Sequence, residues 1–260
     1  MKTLIIFGKA PVPGFVKTRL ASSTCLSEEQ VCSVYEAFLK DIVSVAALTS
    51  AETILISYTP DGEEKRLRDL IRGQNLGTRN ERRFVFTPQT GETYAERVAN
   101  AFSAAAKFEG EAVVMIRTDA PVLKPEIIDG AFEFIISRSG VTLGPSGAGS
   151  VYLIGHPGGM ALDFSRVFTE GSEIENLLGQ ARGGNMPLKL LPEILDVTLE
   201  GELITLIGVM RALAYQRKFE SQVFPMSTFK VIEDLGLEIV RSGEDGSIKQ
   251  IAFSKSVPAS

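Results

Sequence analysis

Met1-Lys2-Thr3-Leu4-Ile5-Ile6-Phe7-Gly8-Lys9-Ala10-Pro11-Val12-Pro13-Gly14-Phe15-Val16-Lys17-Thr18-Arg19-Leu20 opens the chain, and its two halves differ in character. Thr3–Phe7 is a short, uninterrupted apolar run, which marks a strand buried on both faces. The run is too short for the apolar region of a signal peptide, and Lys9 and Pro11 break up the residues after it. From Gly8 to Leu20 the chain carries two glycines, two prolines and three cations, Lys9, Lys17 and Arg19, with no acid among them. In open α/β sheets ligands bind at the carboxyl ends of strands. Glycine lets backbone N–H groups approach a phosphate, and lysine and arginine add charge. The spacing is neither the P-loop nor the dinucleotide glycine pattern. A proline-stiffened surface loop with solvated charges is therefore the competing reading of these residues taken alone.

Outward from this stretch, short apolar runs alternate with amphipathic ones, the pattern of a mostly parallel sheet covered by helices. Strands are expected at Thr53–Tyr58, Arg83–Phe86, Ala112–Ile116, Val141–Leu143, Val151–Ile154 and Leu188–Leu191. Ser27 and Gln30 form a capping box, followed by Val31, Val34, Tyr35, Phe38, Leu39 and Ile42 at helical spacing. Further helices are expected over Gly62–Arg72, Tyr94–Lys107, Pro125–Arg138, Glu173–Arg182 and Glu202–Tyr215. The end of the chain reads differently: a short helix at Ser227–Leu235, then Leu237–Arg241 and Ile248–Phe253 as a hairpin across Gly243–Gly246. The division expected is a main domain over 1–215 and a small α+β appendage over 216–260.

With 260 residues, 44% of them hydrophobic, the chain can bury a substantial core. A net charge of -5 spread along the sequence argues against a nucleic-acid partner, which would need a basic stripe. No run of about 20 apolar residues is present, so no membrane span is expected. Cys25 and Cys32 fit neither a metal spacing nor a disulfide framework. Both are expected to be small buried residues in a reducing compartment, and a cytoplasmic setting follows.

Four further stretches bear on chemistry. Asp119 follows the fourth strand within Thr118-Asp119-Ala120-Pro121, where a carboxylate can hold a divalent cation bridging to phosphates, or simply cap a turn. In Gln89–Arg97, Thr93 and Glu96 form a capping box. Arg97 lies in the first helical turn, where the helix dipole disfavours it, so it has either an anion to reach or a neighbouring glutamate to pair with. Gly144–Ser150 is rich in small residues, suited to close approach of a ligand and equally to a loose crossover. His156 is the only histidine, so any histidine triad or zinc site would have to be built around it, and a structural role is the expectation.

Taken in order, these stretches resemble a known family. Lys9-x-Pro11-x-Pro13-Gly14-x-Val16-Lys17-Thr18-Arg19-Leu20 is similar to the loop of the DUF2064 family, a glycosyltransferase-like, CofC-like group within the nucleotide-diphospho-sugar transferase (GT-A) superfamily. The resemblance continues through Gln89, Glu96 and Arg97, Thr118-Asp119-x-Pro121, Leu143-Gly144-Pro145, Tyr152–Gly155, Leu191-Pro192-Glu193 and Asp196-Val197, over roughly residues 1–215. Three positions depart from the family pattern. Arg117 stands where the family has glycine, Ala148 where it has the aspartate of an Asp-Gly-Gly-Tyr element, and Thr198 where it has a second aspartate.

The resemblance implies a Rossmann-like, three-layer GT-A fold with a mostly parallel central sheet. It implies a metal-assisted transferase taking a nucleotide or nucleotide-sugar donor, with glycosyl or nucleotidyl transfer to an unknown acceptor. Lys17, Arg19 and Asp119 are the implied catalytic residues, and Asp119 the ligand of Mg²⁺ or Mn²⁺. Phe7, Gly8, Lys9, Pro13, Gly14, Lys17, Arg19 and Arg97 are the implied nucleotide-binding set. The departures at 148 and 198 motivate an alternative, a degenerate member that binds a nucleotide or a partner without catalysis. The C-terminal hairpin offers an edge for self-association into a homo-oligomer. A dehydrogenase of Rossmann type is disfavoured by the missing dinucleotide glycine pattern.

Overall fold

A computed structural model describes residues 1–243 and 247–254. These residues form two compact units, each assembled from separate stretches of chain. The first unit comprises Met1–Ala10, Val43–Thr118 and Leu123–Ile194, and the second Pro11–Ile42, Asp119–Val122 and Leu195–Ser260.

The first unit is built on a seven-stranded sheet. Its strands are β1 (Lys2–Lys9), β2 (Thr53–Thr59), β3 (Phe84–Pro88), β4 (Ala112–Arg117), β5 (Val141–Pro145), β6 (Val151–Pro157) and β7 (Leu188–Leu190). Their spatial order is β3-β2-β1-β4-β6-β5-β7. β1 is parallel to β2 and β4, β2 to β3, and β5 to β7. β6 alone runs antiparallel, to β4 and β5. Its direction follows from its connection: the link from β5 is a single 3-10 turn, Gly147–Gly149, and a parallel return would need a crossover of a dozen residues or more. β1, flanked by β2 and β4 inside the sheet, is apolar and buried from Leu4 to Phe7, as the opening run predicts.

Helices cover this sheet on both faces. Ile5 and Phe7 of β1 and Val113 and Met115 of β4 share a core with Val98, Ala101, Phe102 and Ala105 of α5 (Tyr94–Ala106) and with Leu177 of α7 (Glu173–Gly183). The opposite face takes α6 (Pro125–Arg138). Gly155 makes that contact close: a Cβ there would lie 2.8 Å from Ile135 Cδ1 and 3.0 Å from Val114 Cγ2. α3 (Glu64–Arg72) and α4 (Thr78–Glu81) lie between β2 and β3 in the chain. Thr93 Oγ1 accepts from the backbone N–H of Glu96 at 3.1 Å, so the capping box read from the sequence starts α5.

The second unit holds α1 (Thr18–Ser23), most of α2 (Glu28–Leu48), α8 (Glu200–Gln216), α9 (Met226–Asp234) and the hairpin β8 (Leu237–Ser242) with β9 (Ile248–Phe253). The Ser27–Gln30 box is present in both directions at the start of α2, at 2.9 and 3.2 Å. Leu20, Val31, Val34 and Phe38 pack with Leu203, Leu206, Ile207 and Met210 of α8 and with Ile232, Leu237 and Ile251. Segment 216–254 therefore shares its core with the N-terminal helices. β8 and β9 pair antiparallel as the sequence predicts, while residues 244–246 of the expected turn lie outside the described residues.

One expectation fails. Cys32 is buried, but Cys25 is exposed. It sits in the loop between α1 and α2, and its thiol reaches the carbonyl of Ile251 at 3.3 Å instead of entering the core. Burial preference describes side chains on the inner faces of regular elements, and Cys25 is on none.

Candidate functional site

In the second unit, three of the stretches singled out in the sequence meet at one lysine. Lys17 Nζ lies 2.6 Å from Asp119 Oδ1 and donates to the carbonyl of Val197. Val197 in turn donates its N–H to the Asp119 carbonyl at 3.0 Å. The ammonium also stands 5.6 Å from the centre of the Phe38 ring, in cation–π range. Its side chain is only 7% exposed, whereas the Asp119 side chain is 30% exposed. The basic loop, the turn after β4 and the Asp196-Val197 element are thus held together by charge-assisted bonds.

Local backbone geometry supports this placement. Lys17 has φ 48, in the left-handed region, at the position preceding α1. A non-glycine residue pays about 1 kcal/mol for that conformation, which the contacts of its ammonium offset. Gly14, at φ +73, makes the turn that precedes it. Pro13, Gly14 and Arg19 are exposed. The sequence shows Lys17 among cations with no neighbouring acid; the fold supplies the acid from Asp119. Val197 and Phe38 were not among the predicted site residues. Val197 acts only through its backbone, and Phe38 reads from its spacing as an ordinary core position of α2.

The first unit holds the remaining predicted residues. Phe7 is buried and meets Tyr94 edge-on at 5.5 Å, so its ring is part of the core. The Gly8 carbonyl accepts from Gln89 Nε2 at 2.9 Å, and the same amide reaches the Ser57 carbonyl at 3.0 Å. Gln89 thereby ties the end of β1 to β2. Lys9 is exposed. Arg97 Nε is buried and has no hydrogen-bond partner among the described residues.

Two departures from the family pattern also fall in this unit. Arg117, at the end of β4, pairs with Glu173 at 3.0 Å, both side chains being 16% exposed. Glu173 also accepts from the N–H of Val151 at 2.9 Å, and the guanidinium stands 5.8 Å from Tyr94 and 6.0 Å from Phe168. The Gly144–Ser150 stretch is not a loose crossover: Ser146 N–H bonds the Ser150 carbonyl at 2.8 Å, and Ser172 Oγ bonds the Gly149 carbonyl at 3.1 Å. Ala148 there adopts φ 57. His156 is buried against Phe102 at 4.6 Å with Nδ1 on the Pro157 carbonyl at 2.9 Å, a core residue as expected.

The donor set can be tested against a divalent cation. Among the described residues no group of three or more His, Cys, Asp and Glu could hold a metal ion. Asp119 offers one carboxylate, and Lys17 already neutralises it. Mg²⁺ characteristically takes one or two protein carboxylates, with phosphate oxygens and water completing its shell. The residues present therefore fit a cation that arrives with a phosphate ligand, and do not form a cage for a free one.

The fold is that of the Rossmann-like nucleotide-diphospho-sugar transferases. It superposes with a TM-score of 0.73 on a Desulfovibrio desulfuricans G20 protein provisionally assigned as a nucleotide-diphospho-sugar transferase, at 21% identity, covering 90% of this chain and 94% of that one. A cytidylyltransferase from Leptospira borgpetersenii matches at 0.50 and 9% identity, with the same coverage of 90% and 94%. The 4-diphosphocytidyl-2C-methyl-D-erythritol synthase of Anaerococcus prevotii matches at 0.50 and 11%, covering 81% and 99%. No curated protein matches the chain.

Residues 42–170 match the model of the family DUF2064, "Uncharacterized protein conserved in bacteria". The match bears out the resemblance read from the sequence. The basic loop, which carries that resemblance most specifically, lies ahead of the matched span.

Proposed function

We propose that this chain is a transferase that takes a nucleotide or nucleotide-sugar donor and passes a nucleotidyl or glycosyl group to an acceptor. The observation that carries this reading is the convergence of Lys17, Asp119 and the Val197 backbone. A buried ammonium beside a partly exposed carboxylate matches what a donor's phosphates and their cation require. Both reactions build negative charge on a departing phosphate or diphosphate, and fixed positive groups aimed at that charge lower the barrier. Lys17 and Arg19 are the residues assigned to it. Pro13 and Gly14 shape the loop that carries them, and within the first unit Gly8, Lys9 and Arg97 are assigned to the nucleotide, together with the backbone of Phe7, whose ring is taken up by the core. Mg²⁺ or Mn²⁺, bound with the donor's phosphates and held by Asp119, would supply Lewis-acid neutralisation. The fold shared with proteins named as nucleotide-diphospho-sugar transferase and cytidylyltransferase supports the donor class. Among the described residues no helix is long and apolar enough to cross a membrane, and a cytoplasmic setting accords with Cys25 and Cys32 being held as thiols.

A second reading has its own observations: Ala148 and Thr198 stand in place of acids, and Asp119 is already neutralised. On it, the chain binds a nucleotide or a partner without turnover. Calorimetric titration with nucleotides and UDP- or GDP-sugars, with and without Mn²⁺, tests both. The transferase reading expects metal-dependent binding of one donor, lost in Asp119→Ala. No binding by a folded sample to any of them would sink it.

A further inference from the structure

The same three contacts carry a consequence for how that site loads, one that rests on the donor reading above. A single ammonium satisfies the only carboxylate assigned to a cation, and that carboxylate is its counter-ion. Neither is available to a ligand at full strength while the other holds it. The surroundings favour the closed pair: the Lys17 side chain is nearly buried, its ammonium also meets the Val197 carbonyl and the Phe38 ring, and the backbone at Lys17 is in the left-handed conformation. Asp119 is the more exposed partner, so the opening side of the pair is the carboxylate.

We infer that Lys17 is a resident cation on Asp119, exchanged when a phosphate ligand and its divalent cation bind together. The incoming cation takes the Asp119 carboxylate and the ligand's phosphate takes the released ammonium. Each component alone must break the pair with only half of the replacement contacts, so phosphate and cation bind cooperatively. The pair thereby opposes occupation by a free cation or by a free anion.

This exchange predicts gains where loss of a simple binding residue predicts losses. Mn²⁺ binding to the full chain, followed by the paramagnetic resonance of free Mn²⁺ with no phosphate present, should tighten about tenfold in Lys17→Met, the lower range of ordinary coupling between sites. Arg19→Met removes a cation from the same loop without touching the pair, and should show no such gain. Conversely, inorganic pyrophosphate without metal, measured calorimetrically, should bind Asp119→Asn about tenfold more tightly than the unsubstituted chain, because the ammonium is released. Circular dichroism establishes that each variant is folded. A folded Lys17→Met that binds Mn²⁺ no better, or a folded Asp119→Asn that binds pyrophosphate no better, overturns the exchange. Nucleotide titration of the unsubstituted chain tests the donor reading separately, so failure of the exchange is distinguished from failure of that reading.

Discussion

At the scale of single residues, His156 shows how burial sets chemistry. Its ring is packed on Phe102, Nδ1 meets the Pro157 carbonyl, and Nε2 is buried without a partner among the described residues. Burial holds its pKa below the ordinary histidine value, and the Pro157 hydrogen bond opposes that only in part. The neutral ring is favoured in the folded state more than in the unfolded one. Its contribution to stability is therefore complete above the ordinary value, near 6.5, and is lost as pH falls through the lower folded value. The urea midpoint should be level between about pH 8 and 7 and should drop between about 6 and 5. As the only histidine in the chain, it makes the test specific: His156→Leu should flatten that window. Retention of the full drop in the variant would assign it to carboxylates.

Among the elements, the parts set by local sequence were legible and those set by distant partners were not. The capping boxes Ser27–Gln30 and Thr93–Glu96 read directly from spacing, as did the buried run of β1 and the β8–β9 pair. The cap of α9 did not. Asp41, on α2, accepts from the N–H groups of Ser227 at 3.0 Å and Thr228 at 2.7 Å. Nothing near Ser227 in sequence announces a carboxylate so far upstream, and Asp41 itself looks like a polar residue on a helix. Burial raises its pKa, against the lowering effect of those bonds. Asp41→Ala leaves two helix N–H groups without this acceptor, so it should cost about 1–2 kcal/mol in denaturant unfolding. A loss within about 0.3 kcal/mol would mean that water replaces the carboxylate easily. The candidate site divides in the same way. Lys17 and Asp119 each carry a recognisable local setting, a glycine- and proline-bounded basic loop and a turn after a strand. Their pairing depends on a contact that no short-range pattern encodes. Cys25 failed for a related reason, since burial preference says nothing about which loop positions face inward.

For the whole molecule, the C-terminal segment is more than a trailing addition to the second unit. Ile232, Leu237 and Ile251 complete the apolar cluster of Leu20, Val31, Phe38, Leu203, Ile207 and Met210, and Glu200 accepts from the Ile251 N–H at 2.8 Å. Ending the chain at Gln216 would uncover the inner faces of α2 and α8, a contiguous apolar surface of the kind that drives aggregation. Chains cut there should partition into the insoluble fraction or bind a hydrophobic dye strongly. A soluble, dye-negative product with an unchanged unfolding midpoint would show that the segment adds nothing to that core.

The interleaving of the two units also has a meaning during synthesis. Val31, Val34 and Phe38 leave the ribosome early, yet their partners on α8, α9 and β9 are the last to be made, after the whole sheet of the first unit. At elongation rates of about 5–20 residues per second, that interval is roughly 10–40 seconds. Through it, the nascent N-terminal helix displays an unsatisfied apolar stripe, and the lysine at the head of α1 waits for the aspartate that will neutralise it. The second unit can close only once translation is nearly complete, so its formation in the cell depends on whatever shields that stripe in the meantime.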